Sequence, residues 1–165
     1  MNSISVIAKL LEQSRLWTVS LISDMKDLPT TFPTSKGGNH PLWVLGHLVY
    51  SEASIVSKFI KGEENTLSKW DSLFGKGAEP EADLCKYPSM DELLAEFETV
   101  RTETLKFLDS LTDDDLDKPS NAPEELKHIF GTVGQCLFMI GLHSTFHAGQ
   151  VADARRSAGR DPLLG

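Results

Sequence analysis

Four stretches of this chain repeat their apolar residues every three to four positions, and none alternates convincingly as a strand would. Such a chain must fold as helices that each bury one stripe against the others. In the first stretch, 4–28, Ile7, Leu10, Leu11, Ser14, Trp17, Leu21, Met25 and Leu28 share a face, and Pro29 and Gly37-Gly38 end it. Asn39 or His40 caps the second, Pro41 sits in its first turn, and Gly62 stops it after about Lys61. The third opens on a capping box, Ser89-Met90-Asp91-Glu92, and its apolar face is Leu93, Phe97, Val100, Leu108 and Leu111. It stops near the acidic turn Thr112-Asp113-Asp114-Asp115. The fourth opens on a second capping box, Thr132-Val133-Gly134-Gln135, and runs to Gly159.

These helices predict an all-α fold, a four-helix bundle, as one domain over residues 1–165. The connections are unequal. Residues 62–88 join helices 2 and 3, and 27 residues is long for a bundle loop. A crossover of that length can travel from one end of the bundle to the other, so the expected topology is up-down-down-up. Inside the crossover, Thr66 to Phe74 is expected to form a short helix that buries Trp70 and Phe74, an i,i+4 pair. Another helical turn is expected at Pro123 to Phe130.

Charge narrows the function. The formal net charge is −8, with no Lys/Arg cluster to offset it, which disfavours nucleic acid and anionic membranes as partners. No apolar run is long enough to span a bilayer, and the N-terminal residues do not read as a signal peptide. Cys85 and Cys136 form no CxxC pair, so the expected location is a reducing cytoplasm.

The chemistry rests on histidine. His143 and His147 form an HxxxH on helix 4, and residues i and i+4 stand one turn apart on the same helical face. Cys136, Ile140, Gln150 and Ala154 share that stripe, so the imidazoles are expected to point inward. Alone, such a pair is more often simply hydrogen-bonded than metal-ligating. His47 shifts the balance, because Trp43 and Val44 mark its face of helix 2 as inward and an unpaired buried imidazole is costly. Three neutral imidazoles suit a divalent ion such as Zn²⁺, Ni²⁺ or Fe²⁺. Without a thiolate they leave coordination positions open, as catalytic sites do. His40 lies about 10 Å along the axis from His47 and reads as a helix-start residue. His128 reads as a surface residue.

His47 within Trp43-Val44-Leu45-Gly46-His47-Leu48, together with His143, His147, Gln150, Arg155, Arg156 and Gly159, resembles the DinB-like (DinB/YfiT) metalloprotein superfamily. The resemblance spans essentially the whole chain, including the crossover with Trp70, Phe74 and Gly75. It implies a four-helix bundle with a long helix 2–3 connection. It also implies one divalent metal, zinc or nickel, on His47, His143 and His147, and a homodimer. Some characterised relatives are thiol-dependent, among them S-transferases using bacillithiol or mycothiol and a mycothiol-dependent isomerase, whereas many have no assigned activity. The expected function is therefore activation of a low-molecular-weight thiol cosubstrate for S-transfer to a small electrophilic substrate. A metal-dependent hydrolase and a non-catalytic binding module are the alternatives. The hydrolase wants a general base, and no Asp or Glu lies on the histidine stripes of helices 2 and 4, leaving helices 1 and 3 as sources.

Other residues carry two readings each. Gln150 either orients an imidazole or bonds another helix as a buried amide. Cys136 is expected in the core, and Tyr50 and Ser51 either line a pocket or pack. Trp70 and Phe74 are expected as loop anchors rather than a lid. Lys58, Arg155, Arg156 and Arg160 are expected on a solvated face, with attraction of an acidic thiol as the alternative. Asp113 to Asp115 reads as a helix-start turn.

Overall fold

A computed structural model of the chain describes residues 2–163. Among them all regular structure is helical, apart from one isolated bridge between Pro119 and Thr132. The helices are α1 (Ser3–Ser23), α2 (Pro41–Ser54), α3 (Asp71–Phe74), α4 (Met90–Asp109), α5 (Asp113–Leu116), α6 (Lys127–Phe130) and α7 (Val133–Ser157). A π-helical segment, Ile55–Lys61, continues α2 without a break. Among the described residues no helix is long and apolar enough to cross a membrane.

The helix starts lie where local chemistry demands. The Asn2 side chain accepts from the Ser5 N–H at 3.0 Å. His40 caps α2, its Nδ1 accepting from the Trp43 N–H at 3.1 Å. Capping boxes close the orphan N–H groups at Ser89/Glu92 and Thr132/Gln135. Gly62, at φ 71°, takes the left-handed conformation that ends the π segment. The acidic run forms α5, and the 124–130 region forms a 3₁₀ turn followed by α6.

The first helix departs from expectation. It ends at Ser23, after which i→i+3 turns carry the chain on, with Met25 N–H donating to Ile22 O at 2.9 Å and Leu28 N–H to Met25 O at 3.0 Å. Met25 stays buried, but Trp17 and Leu28 are exposed at 45% and 43%. The inward face is centred on Ile7, Leu11, Ser14, Thr18, Leu21 and Ile22. The expected stripe holds at Ile7, Leu11, Ser14, Leu21 and Met25 and fails at Trp17, whose place is taken by Thr18, because Ser14 and Thr18 both hide their hydroxyls on backbone carbonyls. Ser14 donates to Leu11 O at 3.1 Å, and Thr18 donates to Ser14 O at 2.7 Å.

Four pairings of the long helices set their directions. Along α7, Gly141 sits under Leu10, Thr18 donates to Ser144 O, and Arg155 pairs with Asp24, so α1 and α7 run in the same direction. Ile4 meets Asp113 and Lys26 meets Asp91, so α1 and α4 run oppositely. Asn39 meets Gln150 and Phe59 meets Phe130, so the α2–π rod runs opposite to α7. Glu52 pairs with Arg101 and Lys61 lies over Phe107, so the rod runs with α4.

Candidate metal centre

His47 from α2 and His143 and His147 from α7 converge, as the spacing predicts. Their ligand atoms lie within 4.8 Å of one another. Nε2 of His143 stands 3.3 Å from Nε2 of His47 and 3.0 Å from Nε2 of His147. His40 and His128 are elsewhere. His40 is fully buried and satisfied, its second nitrogen 2.9 Å from Glu81 O, and His128 is exposed.

The tautomers show what this cluster fits. Nδ1 of His47 is 2.9 Å from Phe74 O, a carbonyl that can only accept, so that nitrogen carries the proton. Nδ1 of His147 is 2.9 Å from Gln150 Oε1 and is its donor. Both neutral rings therefore aim an Nε2 lone pair into the cluster. His143 Nε2 can donate to one of them at most, so at least one close approach sets lone pair against lone pair. A cation removes that conflict. At a metal–nitrogen distance of ~2.0–2.1 Å, ligands at tetrahedral or right angles stand ~3.4 or ~2.9 Å apart, and the two close contacts fall in that range. The donor set therefore fits a divalent ion.

Burial keeps the rings neutral. Loss of hydration, with repulsion from the neighbouring rings second, pushes His143 down to about 3. The same two causes push His147 down to about 4, with the Gln150 bond opposing them. Burial also lowers His47, against the opposing bond to Phe74 O.

Gln150 bonds the His147 ring, as one of its two readings expected, and it is half-buried, its Oε1 also accepting from Asn39 Nδ2, just ahead of α2, at 3.2 Å. The larger surprise is the crossover. Its short helix α3 lies on α2 and spends its terminal carbonyls there: Trp43 Nε1 donates to Leu73 O at 3.1 Å, and His47 takes Phe74 O. Tyr50 OH donates to Asp71 Oδ1. Trp43 also stacks on the His47 ring, centroids 4.6 Å apart and planes 10° apart. The close approach depends on Gly46, where a Cβ would fall 2.1 Å from the Phe74 ring. Gly46 was visible as a glycine inside a helix next to a candidate ligand. Nothing in the sequence pointed to the Phe74 carbonyl.

A cavity of about 730 Å³ opens beside the triad, edged by His47 and His143. Tyr50, Ser51, Ser54 and Lys58 line it, as do Phe74, Met139, Leu142 and Phe146. Two carboxylates also face it, Asp71 and Glu125, and both come from the connections between the long helices rather than from α1 or α4, the expected sources. Phe74 is wholly buried and serves as an anchor, and Trp70 packs beside it, edge to face. Arg155 is buried against Asp24, and Arg160 pairs with Asp24 and Asp27, so neither is a free cation. Cys136 is in the core, and burial pushes its thiol up to about 11.

The family model described as DinB superfamily matches residues 10–151, a span that contains all three histidines. No curated protein matches the sequence.

Proposed function

This chain belongs to the DinB superfamily, and on that premise we propose that it is a metal-dependent enzyme that activates a thiol for S-transfer to a small electrophilic molecule. The observation that carries the proposal is the meeting of three neutral imidazole nitrogens at the wall of a large cavity. A divalent ion bound there, zinc or nickel, supplies the Lewis acidity that lowers the pKa of a thiol at neutral pH. His47, His143 and His147 hold it, and Phe74 O and Gln150 fix the ring orientations. Phe146 stands edge-on to His147 at 5.3 Å, at the rim of the site. Asp71, bonded by the Tyr50 hydroxyl, is an acceptor on the cavity wall for the proton the thiol loses.

The same carboxylates support a second reading, hydrolysis, because Asp71 or Glu125 supplies the general base that the helix stripes lack. We further read the protein as a cytosolic homodimer, and its four long helices as an up-down-down-up bundle. The helix directions set by the pairs Ile4–Asp113, Asn39–Gln150 and Glu52–Arg101 support the topology.

Elemental analysis of the purified protein, beside His47→Ala, His143→Ala and His147→Ala, tests the site. Stoichiometric metal is expected in the parent and little in the variants. Equal metal in all four removes the triad as its holder. Product formation from a thiol panel and an electrophilic acceptor, above the thiol-only background and lost on chelation, is expected of the enzyme. Hydrolysis without thiol favours the second reading, and metal capture with no turnover of either kind reduces the protein to a binding module.

A further inference from the structure

The cavity beside the triad is a groove along two helices. On one side it runs from His47 through Ser51, Ser54 and Ile55 to Lys58 and Phe59. These positions recur every three to four residues and extend roughly 18 Å at ~1.5 Å per residue. The facing wall on α7 is Met139, Leu142, His143 and Phe146. Far from the triad stand Phe59 and Phe130, edge to face with centroids 5.3 Å apart.

The π segment shapes that far end. Continued α-helical winding at ~100° per residue would carry Phe59 about 120° round from His47. The wider π turn rotates it back towards the groove, where it lines the cavity. Carbonyls left open in the last turn of the segment are satisfied: Asn121 N–H donates to Phe59 O at 2.7 Å, and Asn121 Nδ2 to Ile60 O at 3.1 Å. The groove therefore has hydroxyls near the reacting end (Tyr50, Ser51, Ser54) and mainly hydrocarbon beyond them (Ile55, Phe59, Leu126, Phe130), with the charged Lys58 and Glu125 also on its wall. Leu142 and Phe146 are 46% and 67% exposed on its rim, a costly arrangement for a wall with nothing to bind. The volume suits a molecule well beyond the smallest electrophiles.

We propose that this groove selects the electrophile: an elongated, predominantly apolar molecule whose reacting carbon lies at the triad and whose hydrocarbon tail runs to Phe59 and Phe130. The reacting end rests on the S-transfer reading above; recognition of the tail does not. In that transfer the thiol S–H bond and the carbon–leaving-group bond break. A carbon–sulfur bond forms, and the leaving group departs with its electron pair and is balanced by the thiol proton.

The test measures displacement of the fluorescent probe N-phenyl-1-naphthylamine from the full chain, metal-loaded and metal-stripped, by straight-chain alcohols from butanol to tetradecanol. Affinity is expected to rise about fourfold per methylene, the equivalent of ~0.8 kcal/mol each, and to stop rising once the tail reaches Phe59. Phe59→Ala is expected to move that stop to longer chains. Ser54→Trp, which fills the groove midway, is expected to weaken the longest alcohols at least tenfold without altering the melting temperature. Affinity independent of chain length overturns the proposal, as does an unchanged stop in Phe59→Ala. A probe excluded because a second copy covers the rim, seen as a dimer by sedimentation, overturns it too. Chain-length dependence without S-transfer rejects only the proposed reaction. S-transfer to short polar acceptors without chain-length dependence rejects only this inference.

Discussion

His47 and Glu52 stand five residues apart on α2, so their side chains leave the helix on different faces, ~140° apart. Both enter the interior, and their surroundings treat them oppositely. Glu52 meets Arg101 in a bidentate pair, Nε to Oε1 and Nη2 to Oε2 each 2.8 Å. Arg101 Nη1 reaches Leu11 O, its guanidinium lies over the Phe97 ring, and the pair is 1% and 2% exposed. Every charge there is answered inside the protein. His47 meets two other imidazoles with lone pairs facing one another and a cavity alongside. A closed polar cluster holds helices together. An open one holds a place for something the chain does not itself provide.

Breaking the closed cluster is expected to have the largest effect on folding. Arg101→Ala strands a buried carboxylate and should cost ~3–5 kcal/mol, roughly 6–20 °C in melting temperature. The double variant Arg101→Met with Glu52→Leu should recover most of that loss, because an apolar pair of similar volume needs no partner. Metal content of the double variant, measured at a temperature where it is folded, should match the parent. A double variant as unstable as Arg101→Ala would mean the pair is not an isolated staple.

Gly46→Ala joins the two regions. The added methyl meets the Phe74 ring, so overpacking should cost ~1–3 kcal/mol. Metal affinity should fall as well, because Phe74 O is displaced from His47. Thermal melting and metal titration on the same sample separate the two losses, and a stability loss with unchanged metal affinity would detach α3 from the site.

The open cluster should also show in the pH dependence of metal-free protein. His143 and His147 titrate at about 3 and about 4 when folded, below the ~6.5 of an unfolded chain. Above pH ~6.5 both states are neutral there and the rings contribute no pH dependence. As pH falls below that value the unfolded chain takes up protons first, so stability should decline progressively, the share of His147 ending near pH 4 and that of His143 near pH 3. His143→Ala should flatten this slope in denaturant melts. An equal slope in parent and variant would place the titrating groups elsewhere.

The smallest effect on folding is expected from Gln150→Leu. It removes the acceptor of His147 Nδ1 and of Asn39 while leaving the helix intact. Metal affinity should fall about 10- to 100-fold with little change in melting temperature. An unchanged affinity in competition against a chromogenic chelator would leave Gln150 a packing residue only.

Much of this was legible in the chain. The capping boxes at Ser89 and Thr132, the glycine stop at Gly62 and the pairing of His143 with His147 are contacts within a turn or two of helix, and local rules govern them. His47 was legible because Trp43 and Val44 marked its face. The inward stripe of α1 was misread at Trp17, since Thr18 is buried through a hydroxyl that sequence counts as polar. The split of the cavity into a hydroxyl-lined end and a mainly apolar end was not legible at all, because the π segment sets where Phe59 points.

The sequence by itself determined which segments are helical, where they start, and that three histidines lie on inward faces, because helix periodicity and capping act over three or four residues. Tertiary structure alone decided that Phe74 O holds His47 across 27 positions, that Asn39 reaches Gln150 across 111, and that Arg101 answers Glu52 across 49. Those contacts depend on how whole helices pack, and a side chain carries no local signal of the carbonyl or carboxylate that packing will bring to it.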